Sequence, residues 1–245
     1  MNVQRSIQPY DDPGGRPENE DTVQYAESGK NLIVVLADGL GGQGDGKAAS
    51  TIACESLIQC GMDGTFPTKG TIETAFQTAN ETLIRHQKND FHMKTTAVYF
   101  CTQGNQAIWA HIGDSRLYHV FKNRIADFTL DHSASQLSVF MGNITREQIP
   151  TDPGRSRLIR AMGVKGDMPE IHDPITLEPG HHAFLLCSDG LWEYLSDSDI
   201  ISCCENAADA KTCCQILREI HQTRKTPDCD NNSAVVVFLE VEKPC

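Results

Sequence analysis

Long hydrophobic runs are missing from this sequence. No apolar stretch is longer than Leu32 to Ala37, which falls far short of the ~20 residues a helix needs to cross a bilayer. Positive charge is scarce as well: 21 Lys and Arg stand against 33 Asp and Glu, for a net charge of -12. That balance excludes the clustered cationic surface with which proteins hold duplex nucleic acid. The first fifteen residues, MNVQRSIQPYDDPGG, hold no apolar export segment, so neither secretion nor membrane insertion is expected. Cysteine is plentiful at ten, but no two are spaced as CxxC, and the doublets Cys203-Cys204 and Cys213-Cys214 do not make a zinc pair. Reduced, buried thiols and a cytoplasmic setting are the expectation, with Cys213 on one helical face with Ile216, Leu217 and Ile220. A hydrophobic fraction of 39% and a charged fraction of 22% suffice for a sizeable core, and one domain over residues 1–245 is expected.

Short strands and amphipathic helices come in blocks. Residues 31–37 (NLIVVLA) run into Asp38-Gly39 and predict a strand buried on both faces. Two helices are predicted after it. One runs from Gly46 to about Cys60; the other covers about 70–88, where Ile72, Ala75, Phe76, Ala79 and Leu83 share a face. From 95 to 130, TTAVYFCT, QAIWAHIG, SRLYHVF and RIADFTL are joined by Gly- or Asn-containing turns and predict an antiparallel meander. Residues 131–170 are polar, with short helical patches such as SRLIRAMG, and predict a surface flap. AFLLCSDG (183–190) is a second buried strand, Ser196 to Asp199 a capping box, 208–224 a helix, and SAVVVFLEV a strand returning to the middle of a sheet. Strands grouped between pairs of helices favour sheets covered by helices over an alternating βαβ order.

Three of the apolar strands end on acids, at Asp38-Gly39, Asp114-Ser115 and Ser188-Asp189-Gly190, and Asp230 stands just before the last strand. One Asp-Gly pair reads more readily as a turn. Strands of one sheet that end side by side, however, would crowd these carboxylates, and a cation is what relieves such repulsion. Oxygen donors alone select a hard ion such as magnesium or manganese. Near the N-terminus, Arg16 precedes Glu20 and Asp21. In an extended stretch these two acids face opposite ways, one towards a metal and one behind it, and Arg16 could hold a phosphate by its fork.

RPENED, LADGLGG, TTAV, IGDSRLY, SDGLWE and DNNSAVVV, in this order from Arg16 to Val237, resemble the successive motifs of the PPM or PP2C-type metal-dependent protein serine/threonine phosphatases, especially the compact bacterial ones. The resemblance implies an α+β fold: a central antiparallel β-sandwich flanked by helices on both sides, four layers in the order α-β-β-α. It implies two Mn²⁺ or Mg²⁺ per chain, with Asp38 bridging both, Asp189 and Asp230 completing one, and Glu20 with the Gly39 carbonyl serving the other. Asp21 becomes a supporting acid and Arg16 the phosphate clamp. Asp114 and Glu193 match acids of a third metal position. The implied reaction is hydrolysis of phosphoserine or phosphothreonine by water, without a covalent phosphoenzyme, which agrees with the absence of a Cys-x5-Arg loop.

Leu40 stands where animal members carry a histidine proposed as general acid, so that role has no residue here, and protonation of the leaving group falls to metal-bound water. His111 and His132 read as structural histidines. Arg155, Arg157 and Arg160 fit either a face that attracts a phosphoprotein or a solvated basic face. The implied partners are phosphorylated proteins, a cognate Ser/Thr kinase or its substrates, with no nucleic acid and no membrane. Two alternatives are a catalytically inactive phosphoprotein-binding relative, which would be expected to lack a metal acid, and an enzyme of the same fold acting on a dedicated regulator or a small phosphate ester.

Overall fold

The computed structural model describes residues 3–41, 45–87 and 93–243. Among the described residues, eleven strands form two antiparallel sheets. The first contains β1 (Val3–Asp12), β11 (Asn232–Val241), β10 (Gly180–Cys187), β6 (Arg116–Phe121) and β7 (Ile125–Phe128), in that spatial order. The second runs β2 (Thr22–Ser28), β3 (Asn31–Ala37), β4 (Ala97–Gln103), β5 (Gln106–Ile112), with β8 (Glu170–Ile171) and β9 (Ile175–Thr176) both on the far edge of β5.

Side-chain alternation divides β3 between two cores. Leu32, Val34 and Leu36 meet Phe100, Trp109, Phe184, Val235 and Val237 between the sheets. Ile33, Val35 and Ala37 face the other way, against Ala49, Ala53 and Leu57 of α1 (Gly46–Leu57) and Ile72, Phe76 and Leu83 of α2 (Lys69–His86). A third cluster covers the outer face of the first sheet. There Leu185, Ala234 and Val236 pack against α4 (Asp189–Trp192), α5 (Asp197–Asn206) and α6 (Ala210–Arg224). Each large side chain so buried contributes about 1.5–3 kcal/mol. The result is the helix-sheet-sheet-helix layering expected from the sequence, and all seven residues of β3 are buried. The capping box is present, with Ser196 Oγ accepting from the Asp199 N–H at 3.2 Å. The last strand lies inside its sheet, between β1 and β10.

Several expectations are corrected. The predicted meander is split: β4 and β5 form a hairpin in one sheet, while β6 and β7 belong to the other. The change of sheet occurs at Gly113, whose φ of +100° is open to glycine, and a Cβ there would lie 2.6 Å from Thr96 Cγ2. The acids therefore come from the ends of two facing sheets rather than one. Asp189 is not in strand conformation but opens α4. The SRLIRAMG patch is not helical, because Leu158 and Met162 are drawn into β-bridges with Ser133 and Thr95. The helices of residues 131–170 lie earlier, at α3 (Ala134–Phe140) and a 3-10 turn at Arg146–Thr151. Residue 88, the expected end of α2, lies outside the described residues.

Candidate metal centre

Where the two sheets end together, a cavity of about 1090 Å³ opens, and Glu20, Asp38, Asp114, Asp189 and Asp230 line it with Gly39 and Arg16. Backbone pairing fixes Asp38 at the end of β3. Its N–H donates to Thr96 Oγ1 at 3.0 Å, and its carbonyl accepts from Thr95 Oγ1 at 2.7 Å and Thr96 N–H at 2.9 Å. Asp114 follows β5, and its carbonyl accepts from Trp192 Nε1 at 3.0 Å. The Trp192 ring lies 3.4 Å beneath the Arg116 guanidinium, which makes two bonds of 2.7 Å to buried Asp131. A desolvated ion pair thus braces the turn that carries Asp114.

Asn231 joins the N-terminal segment to the Asp230 loop. Its Oδ1 accepts from Glu20 N–H at 2.9 Å, and its Nδ2 donates to the Pro13 and Glu18 carbonyls, each at 2.9 Å. Arg16 then reaches Asp230 at 2.8 Å, with both side chains about half exposed. Asp21 faces away from the cavity and is fully buried; its Oδ2 accepts from Ser188 Oγ at 2.8 Å, while its Oδ1 has no partner. Glycines keep room around Glu20: a Cβ on Gly41 would fall 2.4 Å, and one on Gly46 2.6 Å, from its carboxylate oxygens. Sequence reasoning missed Asn231 and Ser188. The first Asn of Asp230-Asn231-Asn232 and the Ser of Ser188-Asp189-Gly190 were visible, but their partners lie more than 160 residues away.

Crowding of like charges raises the proton affinity of the whole group. Burial, with the charges of Asp21, Asp189 and Asp114, puts Asp38 well above the usual carboxylate range. Asp114 is raised likewise, by burial and then Asp189. Burial raises Asp189 to about 6, Asp230 adding to it and a contact with Asp38 opposing it. Asp21 reaches about 7, chiefly by burial, with the serine hydroxyls opposing it and Asp189 and Asp230 adding to it. Glu20 is raised by burial, and a backbone N–H of Gly46 works against that. Oxygen donors from two sheets and raised pKa values together fit a hard divalent cation, which would supply the missing positive charge.

Glu193 stands apart. It follows α4 but does not line the cavity; its carboxylate bonds Arg155 Nε at 2.5 Å. Burial, then Asp189, raise it to about 7 against the pull of Arg155. A separate trio, His111, His132 and Glu170, has ligand atoms within 4.8 Å of one another. The two imidazoles, however, stack at 4.6 Å and 9°, with His111 Nε2 bonded to the Leu130 carbonyl at 2.7 Å and His132 Nδ1 accepting from Gly113 N–H at 3.2 Å. Burial holds both pKa values down, His132 at about 3. These are structural histidines.

The family profile described as Protein phosphatase 2C matches residues 15–225. A serine/threonine phosphatase stp of Listeria welshimeri is 30% identical over 194 residues, 76% of this chain and 77% of that protein. Among solved structures, the serine/threonine phosphatase PstP/Ppp of Mycobacterium tuberculosis superposes with a TM-score of 0.81 at 28% identity, covering 98% of this chain and 99% of that one. The catalytic domain of PstP in complex with two manganese ions gives 0.80 at 26%, covering 98% and 100%.

Proposed function

The chain belongs to the protein phosphatase 2C family, and on that premise we propose that it is a metal-dependent phosphatase releasing phosphate from phosphoserine and phosphothreonine in proteins. The observation that carries the reading is the convergence of Glu20, Asp38, Asp114, Asp189 and Asp230 on one cavity beside Arg16. We assign Asp38 as the acid shared between two cations, Mn²⁺ or Mg²⁺, with Asp189 and Asp230 on one and Glu20 and the Gly39 carbonyl on the other. Asp114 is the acid of a third position. Bound there, divalent cations supply Lewis acidity and a water of lowered pKa for in-line attack on phosphorus.

The remaining work falls to the chain itself. Arg16 spends one N–H on Asp230 and has further donors of its planar fork for the phosphoryl oxygens. Asp21 orients Ser188 from behind, and Ser188 Oγ in turn accepts from Ser233 N–H at 2.9 Å, which holds the Asp189 turn against β11. None of the nine described cysteines lines the cavity, and eight of them are buried, in keeping with a reaction that uses no thiol. Leu40 lines the cavity without a proton to give. Residues 131–170 form a flap on one catalytic domain spanning the chain, and Arg157, Arg160 and Lys94 bring positive charge to the cavity of an otherwise acidic protein.

Phosphorylated proteins are the substrates on this reading, a Ser/Thr kinase or its targets among them. Among the described residues no helix is long and apolar enough to cross a membrane, and nine unpaired cysteines accord with a cytoplasmic setting. The test is phosphate release from phosphothreonine and phosphotyrosine peptides with Mn²⁺ or chelator. Release confined to the first peptide and to Mn²⁺ supports the reading. Chelator-resistant release, or binding of the phosphopeptide without turnover, rejects it, the latter in favour of an inactive phosphoprotein-binding module.

A further inference from the structure

The wall of the cavity formed by Ser156, Arg157, Leu158, Ile159 and Arg160 is held unequally at its two sides. On one side it is fastened by backbone pairing, to residues 132–134 of the same 131–170 segment and, through Met162, to Thr95 ahead of β4. Ile159 N–H donates to the His132 carbonyl at 2.8 Å, Ala134 N–H to the Arg157 carbonyl at 2.9 Å, and Met162 exchanges two bonds with Thr95. Just beyond, Gly163 N–H bonds Asn80 Oδ1 on α2 at 2.6 Å. Towards α4, among the described residues, the hydrogen bond from residues 152–160 is Arg155 Nε to Glu193 Oε1, while Ile149, just before them, is packed in the core with Leu191 and Trp192. The pair is partly withdrawn from water, with side-chain exposures of 39% and 16%.

Glu193 sits one helical turn after Asp189, and its N–H donates to the Asp189 carbonyl at 3.0 Å. The acid that grips the flap is thus carried by the turn that presents Asp189 to the cavity. Its carboxylate is spent on Arg155 and does not line the cavity. We propose that Arg155 and Glu193 are positioning residues: the pair fixes residues 152–160 relative to Asp189 and so sets how a phosphoprotein seats against the wall, and Glu193 serves the site through this contact rather than as a cation ligand. What the wall contacts rests on the phosphatase reading; the tether rests on the geometry alone.

The test compares Arg155→Met, Glu193→Met and the double variant in the full chain. Three measurements are made: hydrogen exchange over residues 152–160, Mn²⁺ binding by calorimetry, and kinetics on a phosphothreonine peptide and on p-nitrophenyl phosphate. Each single variant is expected to speed exchange in that segment and to raise KM for the peptide roughly three- to tenfold, the scale of a partly desolvated charge-assisted hydrogen bond. The small ester, too short to span the wall, should lose less. The double variant should be no worse than either single one, because all three remove the same contact. Mn²⁺ stoichiometry and affinity should hold in Glu193→Met. Loss of a Mn²⁺ equivalent in Glu193→Met but not in Arg155→Met would make Glu193 a cation ligand, and unchanged exchange or multiplying losses in the double variant would equally overturn the tether. Wild type that turns over neither substrate refutes the phosphatase reading instead, while exchange and Mn²⁺ binding still decide the tether.

Discussion

Replacing Asp21 with Asn should stabilise the metal-free protein, and by a large amount. Asp21 is fully buried, one carboxylate oxygen has no partner, and its pKa is raised from 3.8 to about 7. A carboxyl group whose folded pKa lies above its unfolded one costs stability as pH rises from the unfolded value to the folded value, and the full cost remains above that. A shift from 3.8 to about 7 corresponds to about 4 kcal/mol at pH 8. Asn keeps an oxygen for the Ser188 hydroxyl and offers its NH₂ to Ser233 Oγ, which is itself unpartnered. In a chain of this length 1 kcal/mol moves Tm by about 2–4 °C, so thermal unfolding in chelator at pH 8 should rise by roughly 8–16 °C. At pH 5 the cost has fallen below about 2 kcal/mol, and the gain should shrink with it. Saturating Mn²⁺ should also reduce it, since cations neutralise the neighbouring acids. An Asp21→Asn protein no more stable than wild type at pH 8, or a gain that ignores pH, would refute the electrostatic account of the cluster.

Three further outcomes are expected. Gly46→Ala puts a methyl 2.6 Å from Glu20 Oε1; Mn²⁺ affinity by calorimetry should fall about tenfold or more, although alanine is the better helix former by about 1 kcal/mol. Asp131→Asn takes the counter-charge from Arg116 in a pair with side-chain exposures of 7% and 2%, which should lower unfolding free energy in urea by about 3–5 kcal/mol. His172 bonds Asp127 at 2.6 Å and stacks on Trp109 at 4.0 Å, and its pKa is raised, first by Asp127. Its stabilisation is complete below the ordinary value of 6.5 and is lost as pH rises through the folded value, so the Tm gap between wild type and His172→Gln should be wider at pH 6 than at pH 8.5.

What the sequence disclosed was what is local. Asp38 was legible because the apolar run that makes β3 and the acid that ends it are adjacent, and β3, α1, α2, α5, α6 and β11 carry their own periodicity or caps. β1 was not legible: VQRSIQPYDD is an edge strand with mostly half-buried side chains and a proline, so neither alternation nor a continuous apolar run marks it. The passage of the chain between sheets at Gly113 depends on space beside Thr96, which no local pattern encodes. The helical spacing in residues 156–163 yielded to the β-bridges of Leu158 and Met162, whose partners Ser133 and Thr95 are remote in sequence. Asn231 to Glu20, Ser188 to Asp21 and Arg155 to Glu193 are likewise long-range contacts. They decide how the cavity is held, while the acids that line it, Glu20, Asp38, Asp114, Asp189 and Asp230, stand out in the sequence and Glu193 does not join them.

The most direct test of the phosphatase account is Mn²⁺-dependent phosphate release from a phosphothreonine peptide by wild type and by Asp189→Asn, with circular dichroism confirming that the variant is folded. Robust release by wild type, abolished by chelator and reduced by several orders of magnitude in the folded variant, is the predicted result. Equal turnover in the variant, or none in well-folded, Mn²⁺-loaded wild type, would contradict it.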